Sequence, residues 1–170
     1  MEFFELTKAR YSVRKYADKP VEAEKLEKIL AAGATAPTAK NQQPQRIYVL
    51  ESKEAIETIR GITRCAFNAP VVLMVCGDKE AAWTNPFNDR NSAEMDCSIV
   101  TTQMMLQAQE LGLGTCWVCW FDTKQTKEAF NIPENEEVFA LLPLGYPAES
   151  SYPSSMHDSR KALEETVVRL

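Results

Sequence analysis

The sequence predicts one domain, spanning residues 1–170, in which helices and strands alternate around an interior sheet. Three observations carry this expectation. The composition, 45% hydrophobic and 25% charged, is the ordinary balance of a globular domain. The run Val71-Val72-Leu73-Met74-Val75-Cys76 lacks polar alternation, as does a strand covered on both faces. Stretches of helical periodicity also alternate with short β-branched runs. A chain of 170 residues buries roughly 70% of its unfolded surface, so neither disulfides nor a structural metal are needed for a core.

Pro20 to Ala36 places Leu26, Ile29, Leu30 and Ala34 at helical spacing between charged residues, an amphipathic pattern whose end is marked by Gly33 and Pro37. Arg46-Ile47-Tyr48-Val49-Leu50 reads as a strand, and Lys53 to Arg64 returns to helical spacing. Pro70 to Cys76 is the buried strand. Asn88 to Leu111 reads as a long helix whose apolar residues cover more than a narrow stripe, which makes it central or subunit-facing. Gly112-Leu113-Gly114 breaks it. Thr115 to Trp120 reads as a short strand, Thr123 to Phe130 as a helix and Val138 to Leu144 as a strand ending at Gly145-Tyr146-Pro147. The Ser- and Pro-rich tail from Ser150 to Ser159 reads as an extended surface loop.

A formal charge of -5 argues against a nucleic-acid or anionic-membrane partner. Val71–Cys76 is far shorter than the roughly 20 residues a membrane-spanning helix needs. The start lacks the pattern of a secretory signal and five cysteines do not make a paired disulfide framework, so the expected location is cytoplasmic, with reduced thiols. The one histidine, His157, removes most Ser-His or Cys-His schemes and zinc sites built on several histidines. Its place in the tail reads as an exposed structural residue.

Charge is nevertheless concentrated locally. Lys8, Arg10, Arg14, Lys15 and Lys19 stand against Asp18 alone, a segment of about +4. In an extended backbone, Arg10, Ser12 and Arg14 project to one side and Tyr11 and Val13 to the other. Two guanidinium forks and a hydroxyl suit a phosphate; the alternative is a solvated basic surface. Ala36 to Pro44 carries three consecutive amides, Asn41-Gln42-Gln43, able to match a heterocycle edge without adding charge; the alternative is an ordinary Pro-bounded turn. Trp83, Pro86 and Phe87 form either a lid that selects substrates by stacking or an aromatic-anchored loop. Cys116-Trp117-Val118-Cys119 matches C-x-x-C, but on a strand its thiols face opposite sides, so core packing is expected. Gly112-x-Gly114 follows a helix and lacks a third glycine, so it is no dinucleotide fingerprint.

Arg10-x-Ser12-x-Arg14, Ala36-Pro37-Thr38-x-x-Asn41-x-Gln43-Pro44, Ala69-Pro70-Val71-Val72, Leu111 to Trp117 and Leu144-Gly145-Tyr146-Pro147 together resemble the ordered motifs of the FMN-dependent nitroreductase family. The resemblance runs from about residue 3 to 165. It departs at Gln45, where many members have tryptophan.

The resemblance implies an α+β fold with a mixed central sheet surrounded by helices, and an entwined homodimer with FMN at the subunit interface. Arg10, Tyr11 and Ser12 would lie at the phosphate, with Arg160 as a second cation there, and Arg14 near the pyrimidine side. Asn41 would meet the pyrimidine edge and Gln43 would also line the cofactor site, with Pro37 and Thr38 supplied by the partner chain. Gly114 and Thr115 would offer backbone N–H groups near the reactive ring nitrogen, and Leu113 beside them would also line the cofactor site. The implied activity is ping-pong hydride transfer from NAD(P)H through FMN to a small acceptor such as a nitroaromatic or quinone. A non-enzymatic flavin-binding module is the alternative, or a specialised reaction such as reductive dehalogenation or flavin breakdown. Because the flavin carries the chemistry, a chain with one histidine loses nothing.

Overall fold

The computed structural model describes residues 2–170. In chain order the elements are α1 (Phe3–Ala9), α2 (Ala23–Ala34), β1 (Gln45–Leu50), α3 (Lys53–Ile62), β2 (Val71–Asp78), α4 (Ala93–Glu110), β3 (Gly114–Thr115), α5 (Thr123–Phe130), β4 (Glu136–Gly145) and α6 (Leu163–Thr166). The strands form one sheet in the order β1-β2-β4-β3, with every named pair antiparallel. The sheet becomes mixed at its β3 edge, where Ser12 and Thr115 form a parallel bridge.

β2 explains the missing polar alternation. Val71, Leu73 and Val75 face one apolar cluster with Ile29, Val100 and Met104. Val72, Met74 and Cys76 face a second cluster with Ile56, Ile59 and Val118. Helices α2 and α4 thus cover one face, and α3 and α5 the other. All six of these β2 residues are buried, so both side-chain sets of a period-two strand are apolar.

Several boundaries shift for physical reasons. Gly33 lies inside α2, and a Cβ there would sit 2.7 Å from Met104 Cγ; it permits close α2–α4 packing rather than ending the helix. The long helix starts at Ala93 rather than Asn88, because Thr84 and Asn91 bridge into a small hairpin and the Asn85 and Asn88 side chains accept from backbone amides within it. Its other end follows expectation: Gly112 has φ 76, and the bonds Gly112 N to Gln109 O and Leu113 N to Ala108 O close the helix in the Schellman arrangement.

The strand expected over Thr115 to Trp120 is reduced to Gly114–Thr115 plus an isolated Val118–Leu141 bridge. Val118 and Leu141 exchange both backbone bonds at 2.9 Å, so two residues earlier Cys116 and Pro143 should do the same. Pro143 has no N–H to give, leaving only a 3.4 Å bond from Cys116 N to Pro143 O. The tail is not extended. It folds into a turn at 155–158, followed by the short α6.

Candidate functional site

The basic segment leaves α1 in extended conformation, with Arg10 at φ -66 and ψ 124, and runs along the sheet edge. Val13 N donates to Thr115 O at 2.9 Å and Ala17 N to Tyr146 O at 2.8 Å. Val13 is fully buried, as the alternation requires. Tyr11 is only half-buried, because the tail rather than the core covers it: its hydroxyl lies 3.3 Å from Ser151 Oγ. Tyr16 fixes the far end, its buried hydroxyl reaching the carbonyl oxygens of Val13 and Pro143 at 3.0 Å each.

Arg10, Ser12, Arg14 and Arg160 together line a cleft of about 190 Å³, with Tyr11 and Ser154 among its walls. No carboxylate among the described residues lines it. A second cleft of about 220 Å³ shares Ser12 and Arg14 and continues over Lys15 beneath Ser150 to Ser154. Arg160 is brought to Arg10 only by the fold of the tail. Three guanidinium groups and a hydroxyl on one small cleft fit a phosphate monoester, which offers three acceptor oxygens and up to two charges. On this donor chemistry the residues present fit the phosphate of FMN.

Leu113, Gly114 and Thr115 are buried and form the floor behind the basic segment rather than the walls of the cationic cleft. The Leu113 amide is engaged by Ala108 O. At Gly114 an added Cβ would lie 2.3 Å from Val13 Cγ2 and 2.8 Å from its Cβ, so glycine is what lets Ser12 approach Thr115.

The amide segment is held by the opposite end of α4. Asp96, 2% exposed, accepts from Ala39 N at 2.9 Å and from Ser92 Oγ at 2.7 Å. Thr38 Oγ1 accepts from Gln43 N at 3.0 Å, and Gln43 Nε2 donates to Asn41 O. Lys40, Asn41 and Gln43 hold φ of 53, 56 and 49, a left-handed conformation costly for non-glycine residues and concentrated at functional sites. Pro37, Asn41 and Gln43 are exposed. Gln45, at the departure from the family pattern, keeps a buried Oε1 with no hydrogen-bond donor among the described residues.

The sheet separates these two groups. Thr115 pairs with Leu144, which pairs with Val71; Gln45 pairs with Gly77 at the other end of β2. Six residues of strand span about 20 Å, so within one chain the amide segment and the cationic cleft lie at opposite ends. Pro37, Thr38, Asn41 and Gln43 travel together on one loop. The hairpin at 84–91 lies at the amide end, where Ser92 N donates to Trp83 O, and presents Phe87 95% exposed.

A larger cavity, about 630 Å³, is elsewhere, between α5 and the start of β4. Its lysines are engaged: Lys79 pairs with Glu137 at 3.2 Å, Lys124 with Glu128 at 3.9 Å, and Lys127 Nζ donates to Glu136 O at 2.6 Å.

The C-x-x-C pair splits as strand geometry requires, Cys116 buried and Cys119 exposed, so Cys119 is not a core residue as expected. Among the described residues no cluster of three or more metal-ligating side chains occurs. Burial pushes the Cys76 and Cys97 thiols up to about 12, and burial with the Glu136 hydrogen bond does the same for the Tyr48 hydroxyl. Thiols in the unfolded chain ionise near about 8.5. Above that pH the unfolded state holds fewer protons than the folded state, so stability falls as pH rises. Thermal melts should therefore show a Tm that declines steadily between about pH 9 and 12; a flat profile over that range would refute the assignment.

Fold and site thus define an α+β domain, a sheet of four antiparallel strands with one parallel bridge at its edge, set between two helical layers, with a cationic cleft at that edge and a strained amide loop at the other end. The chain belongs to the nitroreductase family, whose sequence profile matches residues 7–68 and 61–146. A nitroreductase family protein of Clostridium difficile superposes with a TM-score of 0.92 at 44% identity, over 99% of this chain and 98% of that one. A Methanothermobacter thermautotrophicus protein, provisionally named an NADH dehydrogenase/NAD(P)H nitroreductase, is 34% identical over 88% of this chain and 80% of its own. The Bacillus subtilis protein named FMN reductase [NAD(P)H] is 27% identical over 82% of this chain and 64% of its own. Among the described residues no helix is long and apolar enough to cross a membrane.

The tail side chains Ser154, Met156 and His157 line the cationic cleft and were not legible as site residues. The only sequence signal was the presence of the chain's one histidine in that tail.

Proposed function

We propose that the protein is an FMN-dependent oxidoreductase that passes hydride from NAD(P)H to a small acceptor such as a nitroaromatic or quinone, acting as a homodimer. The observation that carries this is the convergence of Arg10, Ser12, Arg14 and Arg160 on one cleft in a chain whose relatives are named for NAD(P)H-linked and FMN-linked reduction. When bound, FMN supplies the hydride chemistry.

The chain's own residues bind and orient. Arg10, Ser12 and Arg160 hold the phosphate, with Tyr11 supporting the wall. Gly114 sets the approach of the basic segment to β3, and Leu113 and Thr115 make the floor. Arg14, exposed at the mouth and with Nη1 3.3 Å from Ser12 O, would place a fixed cation beside the pyrimidine side of a bound flavin. Because the amide loop lies about 20 Å from the cleft of its own chain, a site using both draws Pro37, Thr38, Asn41 and Gln43 from a second copy. That separation supports the dimer.

The purified protein should be yellow, bleach with NADH or NADPH, and regain colour with an added nitroaromatic or quinone. A colourless protein that ignores FMN refutes the proposal, and colour without bleaching favours a flavin-binding module. Arg14→Gln should retain FMN yet be reduced about tenfold more slowly, in keeping with the loss of one charge-assisted contact. Unchanged reduction kinetics would remove Arg14 from that role.

A further inference from the structure

Beyond the Tyr11 contact at Ser151, the tail that closes the cationic cleft is anchored by the His157 ring. From Tyr152 to Leu170 every residue is exposed except His157, whose side chain is 14% exposed beside an Asp158 side chain that is 99% exposed. His157 Nε2 lies 2.9 Å from Lys8 O. A carbonyl only accepts, so Nε2 carries the proton and donates. Lys8 is in the last turn of α1, where carbonyl oxygens have no intrahelical partner, and a histidine donating there completes the helix end. The same ring meets Tyr11 edge-on, 6.4 Å between centroids.

From this anchor the turn runs directly to the cleft. His157 N donates to Ser154 O at 2.9 Å and Ser159 N to Met156 O at 3.1 Å. Arg160 follows, its Nη1 donating to the adjacent Ser159 O at 2.9 Å, and it lines the cleft with Arg10 and Ser12. A long cation on an exposed tail loses much conformational freedom when it grips an anion, and holding the tail beforehand lowers that cost.

We propose that His157 is a positioning residue: it clasps the tail to the end of α1 and so pre-organises Arg160 at the phosphate end of the cleft. The inference rests on reading the cleft as the FMN phosphate site. It requires the ring's donor at Nε2 rather than its charge.

The test is a titration of the full-length, flavin-free protein with FMN and, in parallel, with riboflavin, which lacks the phosphate. His157→Ala should weaken FMN about tenfold, the effect of one lost anchoring contact, and leave riboflavin within about twofold. His157→Gln, which keeps an N–H donor at similar reach, should restore most of the affinity. Combined with Arg160→Ala, His157→Ala should add little to the loss from Arg160→Ala alone, because both act through one side chain. Equal weakening of FMN and riboflavin, or fully additive losses, would overturn the assignment. Trypsin provides a flavin-independent arm: cleavage after Arg160 and Lys161 should accelerate severalfold in His157→Ala, and an unchanged rate would overturn the clasp. If wild type fails to bind FMN while the tryptic difference persists, the clasp stands and the cofactor reading falls.

Discussion

Gly114→Ala is expected to destabilise the protein by about 3 kcal/mol, at the upper end of what overpacking costs, and to weaken FMN binding at least tenfold. The new Cβ would stand 2.3 Å from Val13 Cγ2 and 3.1 Å from Pro147 Cγ. Val13 has no free space to yield into, being fully buried, and its amide is tied to Thr115 O. Relief therefore requires the basic segment to lift from β3. That movement would carry Ser12 and its flanking arginines out of register with Arg160, coupling a packing error to the anion site. Denaturant titration and FMN titration of the same variant test both halves. Gly61→Ala is the control: nothing lies within 4 Å of an added Cβ there, the position is in α3, and a gain of about 0.5 kcal/mol is expected from helix propensity. A Gly114→Ala protein as stable as wild type would show that the edge contact is not a constraint.

Arg10→Ala should lower FMN affinity about 100-fold. A hydrogen bond to a charged group contributes about 1.5–3 kcal/mol, and each 1.4 kcal/mol is a factor of about ten. The low barrier to replacing a surface arginine means that the flavin-free protein should melt within about two degrees of wild type. Riboflavin affinity should hardly change, which separates a phosphate contact from a general loss of the site. Arg10→Lys should recover only part of the loss, because an ammonium offers a point charge in place of a planar fork. FMN binding by Arg10→Ala within twofold of wild type would remove the cleft from the cofactor reading.

Elements and site differ in how far they were legible. β2 was recognisable because two period-two sets of apolar residues, Val71-Leu73-Val75 and Val72-Met74-Cys76, leave no polar alternation. α5 spans the expected Thr123 to Phe130, and its ends are sharp because Asp122 accepts from Gln125 N at 2.8 Å at its start and a left-handed Asn131 follows Phe130. β3 was misjudged because the missing donor lies on Pro143, in a strand remote in sequence. Gly33 was misjudged because its reason is Met104 on another helix.

What the sequence by itself determined is the local pattern. Period-two spacing selected Arg10, Ser12 and Arg14 for one side of an extended segment, and helical spacing set the layers that bury β2. These follow from backbone geometry over a few residues, so they are written in neighbouring letters. Only the tertiary structure decided what meets that segment. Arg160 reaches Arg10 through a turn anchored by His157 on Lys8 O, and the amide loop is carried about 20 Å away by the length of β2. Those placements depend on contacts between residues as far as 149 positions apart, whose energies exist only once the sheet and the tail have folded.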